Sequence, residues 1–178
     1  MSIVFLYNLF QRRIEMNTKY VYLAGGCFWG MEDLFRHLVG VIDTQVGYLG
    51  GDNENPTYEN HLGHAEGLRI EYDPSKISFE KLLDFFFRVH NPTQLNQQGN
   101  DKGSSYRSAI FFQSSEEKDI AEKLINIVDE SGFWGQPVVT SLEEFHRFYS
   151  AEEYHQDYLI KNPNGYTCHS IRTQKSFI

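Results

Sequence analysis

Cys27 is the residue of this sequence whose surroundings best suit covalent chemistry. It lies within Gly26-Cys27-Phe28-Trp29-Gly30, where an apolar run typical of a strand gives way to a run typical of a helix. A cysteine at a helix N-terminus faces unpaired backbone N–H groups and the positive end of the helix dipole, and both favour the reactive thiolate. Because Phe28 and Trp29 add an apolar wall, we expect a small, apolar substrate that is electrophilic at one atom.

Ordinary core packing is the alternative interpretation of Cys27. Cysteine is among the most buried residue types, and a cysteine beside aromatic residues often only fills space. The neighbouring glycines favour a functional turn instead. Gly25 and Gly26 indicate unusual backbone angles or the close approach of a ligand, and Gly30 would be unfavourable within an ordinary helix.

Polar residues that could serve the same site occur in two stretches. Glu66 lies at the mouth of an apolar strand, where burial would raise its pKa and make it a proton donor near neutral pH. A solvated carboxylate at a strand end is the alternative. The second stretch is a polar loop over residues 91–105, which is long for a compact domain, and such loops are often functional.

The histidines raise the question of a metal site. His61 and His64 are three residues apart, and His64, His155 and His169 could meet Cys168 in space. However, the sequence has no CxxC or HExxH pattern and no second closely spaced pair of ligands. We therefore expect neither a metal nor another cofactor.

Composition narrows the class of protein. The 178 residues suffice for about one domain with a sizeable core, and the formal charge of −8 argues against a nucleic-acid partner. Cys27 and Cys168, 141 positions apart, are too few for a disulfide scaffold, which favours a reducing, cytoplasmic setting.

The first residues do not resemble a targeting or membrane segment. An apolar run precedes Arg12-Arg13, which is the wrong order for a signal peptide, and the run is too short to span a bilayer. Residues 1–15 are therefore predicted to be a non-native or disordered extension, with Met16 as the true start. Residues 16–178 are predicted to form a single catalytic domain.

The rest of the chain alternates between strand and helix patterns without a repeat or a linker, which predicts an α+β fold. We expect a single-domain two-layer sandwich with a mixed β-sheet, helices packed on it, and a long irregular C-terminal tail from Asn162. Apolar periodicity and capping residues define the elements. The predicted strands cover residues 20–24, 41–49, 68–72, 108–112 and 137–142, and the predicted helices cover 31–38, 78–89, 114–128 and 154–159, the last three opened by Ser78, by Ser114 with Glu117, and by Ser150 with Glu153.

Many short segments between Tyr20 and Arg172 resemble, in order, those of the A-type methionine sulfoxide reductases, which act on the S epimer of methionine sulfoxide. Each segment alone is weakly specific, but their number and order make the resemblance specific. They are Gly26–Gly30, Gly47–Gly51, Asn55–Tyr58, Gly63–Glu66, Tyr72–Pro74, His90–Gln94, Gln98–Asp101, Tyr106–Ser108, Tyr154–Gln156 and Lys161–Tyr166.

The resemblance implies a role for each candidate residue. Cys27 matches the nucleophile that attacks the sulfoxide sulfur, and Phe28 and Trp29 match the residues that hold the S-methyl group. Glu66 matches the acid beside the sulfoxide oxygen. The other pocket residues implied are Tyr58 and Tyr106, which hydrogen-bond that oxygen, and Asp101, which lines the pocket.

The resemblance also implies a second thiol, since loss of the oxygen leaves Cys27 as a sulfenic acid that another thiol condenses to a disulfide. Cys168 in the irregular tail matches this resolving cysteine, and mobility of the tail would let it reach Cys27; an inert thiol is the alternative. Thioredoxin would then reduce the disulfide. The implied enzyme is a cytoplasmic monomer that repairs protein-bound, peptide and free methionine sulfoxide.

Two departures from the family pattern affect these expectations. The segment Glu59–Ala65 is shorter than in many members, although Tyr58 and Glu66 are still expected to reach the pocket. No cysteine follows Cys168, so a relay of several disulfides within the chain is excluded.

Two other functions remain open on the sequence alone. A Cys–His acyl hydrolase would use His64 or His155 to activate Cys27 and would need no reductant. A sulfoxide- or methionine-binding module, or an interaction domain, would carry unreactive cysteines and show no turnover.

Overall fold

The computed structural model describes residues 17–172 and 176–178. The extension predicted over residues 1–15 and the start predicted at Met16 lie outside this part of the chain. The strands are β1 (Lys19–Gly25), β2 (Val41–Leu49), β3 (Ala65–Tyr72), β4 (Gln97–Gln98), β5 (Asp101–Lys102), β6 (Ser108–Phe112), β7 (Ser141–Glu144) and β8 (Phe148–Ser150). The helices are α1 (Phe28–Phe35), α2 (Phe79–Val89), α3 (Ser115–Glu130) and α4 (Tyr158–Lys161), with a 3₁₀ turn at Ser104–Tyr106.

A six-stranded mixed sheet with the order β7-β6-β1-β3-β2-β8 forms the centre of the fold. β6 and β7 run parallel, and the other neighbours pair antiparallel. Successive side chains of β1 point to opposite faces. Leu23 joins the main core with side chains of α2 and α3, while Tyr22 joins a smaller cluster with Phe111, against which Phe145 and Phe148 pack. The predicted single-domain α+β fold with a mixed sheet is confirmed.

Two of the three predicted helix caps are confirmed. The hydroxyl of Ser78 accepts a hydrogen bond from the Lys81 N–H at 3.2 Å, and that of Ser114 accepts one from the Glu117 N–H, also at 3.2 Å. Each bond satisfies a donor that the first helical turn leaves unpaired. The sequence signal is therefore sufficient to start α2 and α3.

The helix predicted over residues 154–159 is wrong. Residues 153–157 form turns, and only Tyr158–Lys161 are helical. The side chain of Gln156 bonds to both the N–H and the carbonyl oxygen of Val46 at 3.0 Å, and Asp157 adopts a left-handed backbone with φ of 55°. A long-range contact therefore replaces the local cap that Ser150 and Glu153 suggested.

The strand predicted over residues 137–142 is shifted, since β7 begins at Ser141. The predicted polar loop 91–105 contains the β4–β5 hairpin and opens the 3₁₀ turn. From Asn162 the described chain has no further helix or strand, so the irregular tail is confirmed. Within the described residues, no helix combines the length and the apolar character that crossing a bilayer requires.

Candidate active site

Cys27 lies at the turn between β1 and α1, and the glycines before it explain why the turn is tight. A Cβ on Gly25 would lie 2.9 Å from the Phe86 ring and 3.3 Å from the His90 ring, and Gly26 has a positive φ of 99°. Cys27 has a non-helical backbone and precedes the first turn of α1, and its side chain is 6% exposed. The strand-to-helix junction predicted at this cysteine is confirmed.

The expectation that Cys27 is a thiolate is wrong for the free protein. Burial and then the nearby Glu66 carboxyl raise the pKa of the thiol well above its ordinary value, and the Trp29 backbone N–H lowers it only in part. A helix N-terminus favours a negative charge, but removing the thiolate from water disfavours it more strongly here. Cys27 is therefore a neutral thiol near pH 7.

Glu66 lies in β3, and its side chain is 2% exposed. One of its carboxyl oxygens accepts the Phe28 backbone N–H at 3.1 Å. Burial raises the pKa of Glu66 to about 8, although that hydrogen bond works in the opposite direction. Of the two alternatives that the sequence left open for Glu66, the structure shows the buried one, and the carboxyl is largely protonated at neutral pH.

A small cavity of about 80 Å³ joins these groups. Most of the residues predicted for the site line it, and Tyr166 does so without having been predicted. Burial and then Glu66 raise the pKa of both Tyr58 and Tyr106, so their phenols remain O–H donors. The lining residues are Cys27, Phe28, Trp29, Tyr58, Glu66, Asp101, Tyr106 and Tyr166.

Trp29 is held on two sides. Its ring stacks on Tyr158 with centroids 3.7 Å apart and planes 12° from parallel, and its indole N–H donates to His155 Nδ1 at 3.1 Å. The buried His155 ring also lies 5.1 Å from the Phe28 ring. The aromatic wall of the cavity is therefore fixed in orientation by residues more than a hundred positions away.

Tyr58 is positioned by Glu152 despite the short segment that follows it. One carboxylate oxygen of Glu152 accepts the Tyr58 backbone N–H at 2.9 Å, and the other accepts the Tyr48 hydroxyl at 2.8 Å. His61 stacks on the Tyr48 ring, with centroids 5.0 Å apart. Both Tyr58 and Glu66 line the cavity, as expected, although the segment between them is short.

The C-terminal tail brings Cys168 to the same site. The Tyr166 hydroxyl donates to Asp101 Oδ2 at 3.0 Å. Cys168 lies next to Gly99, since a Cβ on Gly99 would be 3.4 Å from Cys168 Cβ. Burial and then the Asp101 carboxylate raise the pKa of Cys168 to about 12, while the Cys27 backbone N–H lowers it. Both cysteines are free thiols, and the tail that carries Cys168 is docked rather than detached.

The histidines considered as metal ligands serve other purposes. His64 accepts the Gly51 N–H at 3.2 Å through Nδ1 and bonds the Asn53 carbonyl through Nε2. His61 bonds the Thr57 carbonyl and the Ser105 hydroxyl. Residues 17–172 and 176–178 contain no group of three or more His, Cys, Asp or Glu side chains able to hold a metal ion.

The sequence matches known proteins over nearly all of the described chain. The family model for peptide methionine sulfoxide reductase matches residues 19–177. The chain is 54% identical over 156 residues to the peptide methionine sulfoxide reductase MsrA of Nocardia farcinica, covering 88% of this chain and 92% of that protein. It is 55% identical to MsrA 1 of Mesorhizobium japonicum, covering 88% and 91%. The chain belongs to the peptide methionine sulfoxide reductase family.

Several solved structures share its fold. The reduced form of Mxr1 from Saccharomyces cerevisiae is 40% identical with a TM-score of 0.78, over 87% of this chain and 92% of that one. Methionine sulfoxide reductase A of Corynebacterium diphtheriae is 34% identical with a TM-score of 0.76, over 87% and 80%. Mxr1 in complex with Trx2 is 29% identical with a TM-score of 0.57, over 87% and 90%.

Membership of the peptide methionine sulfoxide reductase family makes this protein an enzyme that reduces methionine sulfoxide. It argues against the acyl hydrolase and the binding module that the sequence left open. The structure agrees, because His64 bonds to backbone groups and His155 accepts the Trp29 indole N–H. Neither ring is engaged with the Cys27 thiol through those bonds.

Sequence reasoning missed Glu152 and Tyr166 as residues of the reductase site, and it considered His155 only as an activator of Cys27 or a metal ligand. Glu152 and His155 act through Tyr58 and Trp29, and no local pattern links positions so far apart. Tyr166 lies in a segment that carried the resemblance, two residues before Cys168, and this proximity was the signal available for it.

Proposed function

We propose that this protein reduces the S epimer of methionine sulfoxide in proteins, in peptides and as the free amino acid, as a repair of oxidative damage. The observation that carries the proposal is the set of groups around the cavity. A thiol, a protonated carboxylic acid and two phenols lie beside a fixed pair of aromatic rings. This combination suits a substrate with one electrophilic sulfur, one oxygen and one methyl group.

Cys27 is the nucleophile in this proposal, and it attacks the sulfoxide sulfur. In the net step, Cys27–SH and methionine sulfoxide become Cys27–SOH and methionine, so the oxygen and the thiol hydrogen both end in the sulfenic acid. The substrate sulfur is reduced by two electrons and the Cys27 sulfur is oxidised by two. Burial disfavours deprotonation of the Cys27 thiol in the free protein. We therefore expect Cys27 to become a strong nucleophile only when substrate is bound.

Glu66 donates a proton to the sulfoxide oxygen, and Tyr58 and Tyr106 donate hydrogen bonds to it. Sulfoxide oxygen leaves poorly unless it is protonated, so acid catalysis and oriented donors should lower the barrier. The raised pKa of Glu66, about 8, supports this role because the proton is present at neutral pH. The raised pKa values of both tyrosines keep their phenol protons in place.

Selection of the S epimer requires separate places for the three groups on the sulfoxide sulfur. Phe28 and Trp29 take the methyl group, since an apolar group favours rigid aromatic walls. The oxygen faces Glu66 and the phenols, and the rest of the substrate extends past Asp101. The R epimer would exchange two of these groups and place either oxygen against the rings or methyl against the acid.

Cys168 resolves the Cys27 sulfenic acid to a disulfide, and thioredoxin reduces that disulfide. The contacts of Cys168 with Asp101 and with the backbone of Cys27 support this assignment. The similarity to Mxr1, solved in complex with Trx2, supports thioredoxin as the reductant. The proposed enzyme acts as a monomer in the cytoplasm, where reduced thioredoxin is regenerated.

Two cysteine variants test this proposal. Purified reduced protein is mixed with excess S-epimer methionine sulfoxide without a reductant, and methionine and free thiols are counted. The unaltered protein should form about one methionine and lose both thiols. Cys27→Ser should form none. Cys168→Ser, its matched control, should still form about one methionine per chain but should not cycle with thioredoxin and its reductase.

Several outcomes would contradict the proposal. Methionine formation by Cys27→Ser would show that Cys27 is not the nucleophile. Full thioredoxin-supported cycling by Cys168→Ser would remove Cys168 from the mechanism. Equal reduction of the R epimer would contradict the three-place arrangement of the pocket. Assays of both epimers with dithiothreitol as the reductant measure this selectivity independently of thioredoxin.

A further inference from the structure

His169 is a buried histidine beside Cys168 to which the mechanism above gives no part. Its side chain is in the protein interior, and its Nε2 lies 2.7 Å from the Gly25 carbonyl oxygen. A carbonyl oxygen only accepts hydrogen bonds, so Nε2 carries the hydrogen. Burial lowers the pKa of His169 to about 4, which makes the ring neutral and leaves Nδ1 as an acceptor.

The acceptor atom of His169 faces the thiol of Cys168. The distance from Nδ1 to Cys168 Sγ is 3.5 Å, a hydrogen-bond distance for sulfur. Because Nδ1 has no hydrogen in this tautomer, the thiol must be the donor. The Gly25 carbonyl thus fixes the tautomer in which His169 can receive the Cys168 proton.

Gly30 provides the space in which this pair forms. A Cβ on Gly30 would lie 2.4 Å from Thr167 Oγ1 and 2.5 Å from His169 Nδ1. Thr167 Oγ1 in turn accepts the His169 backbone N–H at 3.1 Å. The tail therefore packs directly on the backbone of α1, one turn from Cys27, which only a glycine permits.

We propose that His169 accepts the thiol proton of Cys168 when Cys168 attacks the Cys27 sulfenic acid. This inference rests on the proposed function, in which that attack resolves the intermediate. The S–S bond forms as the S–O bond of Cys27–SOH breaks, and the thiol proton passes to His169 Nδ1. The leaving hydroxide takes up a proton from solvent and departs as water, and the imidazolium returns the thiol proton to solvent, so the net product besides the disulfide is one water.

Asp101 is the competing proton acceptor, and its contacts make it less suitable. Its Oδ2 already accepts the Tyr166 hydroxyl at 3.0 Å. Besides burial, a hydrogen bond between the Cys168 thiol and Asp101, and then the negative charge of Asp101, raise the pKa of Cys168, so Asp101 holds the thiol in its neutral form and opposes the thiolate that the reaction needs. Proton transfer to His169 instead pairs the developing thiolate with a positive ring, and this attraction offsets the burial that keeps the ring neutral before the reaction.

His169→Gln separates proton acceptance from simple anchoring. A glutamine amide N–H can still reach the Gly25 carbonyl in place of Nε2–H, but it offers no basic atom at the position of Nδ1. Reduced protein is mixed with methionine sulfoxide in a quenched-flow experiment, and methionine and remaining thiols are measured over time. We expect the rate of disulfide formation to fall at least about tenfold relative to the rate of methionine formation.

Gly30→Ala and His37→Gln complete the set. The methyl group of Gly30→Ala should displace the tail and slow disulfide formation selectively, although alanine itself favours helix α1. His37 is exposed, so His37→Gln is a matched control with unaltered rates. A sulfenic-acid trap such as dimedone should label Cys27 in the two slow variants and not in the control.

The outcomes distinguish this inference from the proposed function. If the unaltered protein forms methionine and a Cys27–Cys168 disulfide but His169→Gln forms both equally fast, the proposed function stands and His169 is only an anchor. If the unaltered protein forms methionine without losing the Cys168 thiol, the resolving step itself is wrong. Slow disulfide formation in His169→Gln with normal methionine formation supports proton acceptance.

Discussion

The backbone N–H of Phe28 donates to a carboxyl oxygen of Glu66 across 3.1 Å, which ties the first turn of α1 to strand β3. The two residues meet because β1, which leads into α1, pairs with β3 in the middle of the sheet. The bond holds the acid beside the residue that follows Cys27. An acid and a thiol are therefore kept together by the backbone of the fold.

The activity should depend on the protonation of Glu66. Its pKa is raised to about 8, so the proposed proton donor is lost as the pH rises through that value. We expect the rate of methionine formation to fall above about pH 8. Glu66→Gln should be slower at pH 7, because an amide donates a hydrogen bond without giving up a proton, and should lack this decline. Undiminished rates across pH would argue against an acid role.

The stability should also fall as the pH rises, because of the same group. The pKa of Glu66 is near its ordinary value of 4.5 in the unfolded chain but about 8 in the folded one, so the unfolded state binds fewer protons between these values. The free energy of unfolding therefore falls as the pH rises through this window. Glu66→Gln should remove that loss and be more stable than the unaltered protein at pH 9, by on the order of 2–4 kcal/mol.

Urea unfolding at pH 4 and pH 9 measures this difference. The exposed Glu130 provides the matched control, since Glu130→Gln should shift neither curve. A constant difference between Glu66→Gln and the unaltered protein at both pH values would contradict the burial of an ionisable carboxyl.

Tyr106 should contribute to the transition state rather than to stability. Tyr106→Phe removes one phenol donor from the cavity and keeps the ring, so kcat/KM should fall about 10²-fold. Tyr20→Phe alters a tyrosine that is 37% exposed and should leave kcat/KM unchanged. Steady-state kinetics with peptide methionine sulfoxide check both. Equal kinetics for the two variants would show that the Tyr106 hydroxyl does not act on the oxygen.

His155 should affect substrate binding through Trp29. His155→Leu removes the acceptor of the indole N–H, and we expect KM to rise about fivefold with a smaller change in kcat, since a lost hydrogen bond is worth about 1 kcal/mol. His155→Asn can restore an acceptor at the position of Nδ1 and should recover most of the loss. A KM that is high in both variants would assign the effect to packing instead.

Glu32 should stabilise the region behind Trp29. Its Oε2 lies 3.0 Å from an Arg36 nitrogen and accepts the Asp157 N–H at 2.9 Å, next to α4. Glu32 is 1% exposed, so Glu32→Ala leaves Arg36 with a weaker set of partners and should lower the free energy of unfolding by about 2–4 kcal/mol. Urea unfolding measures it, with Glu130→Ala as the control. An unchanged midpoint would contradict the proposed support.

The local parts of the fold were predictable from the sequence. Ser78 and Ser114 correctly predicted the starts of α2 and α3, because each cap involves residues only three positions apart. The turn at Cys27 was predictable because Gly25 and Gly26 allow backbone angles and close contacts that other residues do not. Residues 154–159 were not predictable, since Gln156 is committed to Val46 in another strand. Patterns of nearby residues do not contain such distant partners.

The site divides in the same way. The thiol, the acid and the aromatic wall were identified by residue type and resemblance, and the structure places them around one cavity. The protonation state of Cys27 was not predictable, because it depends on how far burial outweighs the helix dipole. The anchoring of Cys168 through His169 and Gly30 was not predictable either, because it depends on contacts between residues that are far apart in the sequence.

The docking of Cys168 against the start of α1 has a consequence for biosynthesis. Cys27 and Cys168 are 141 positions apart, so a ribosome adding about 5–20 residues per second needs roughly 7–28 s between them. During that interval the nascent chain carries the reactive cysteine without its partner thiol and without the tail that packs beside it. An enzyme that reduces oxidised sulfur is therefore itself open to oxidation at Cys27 until Cys168 has been synthesised.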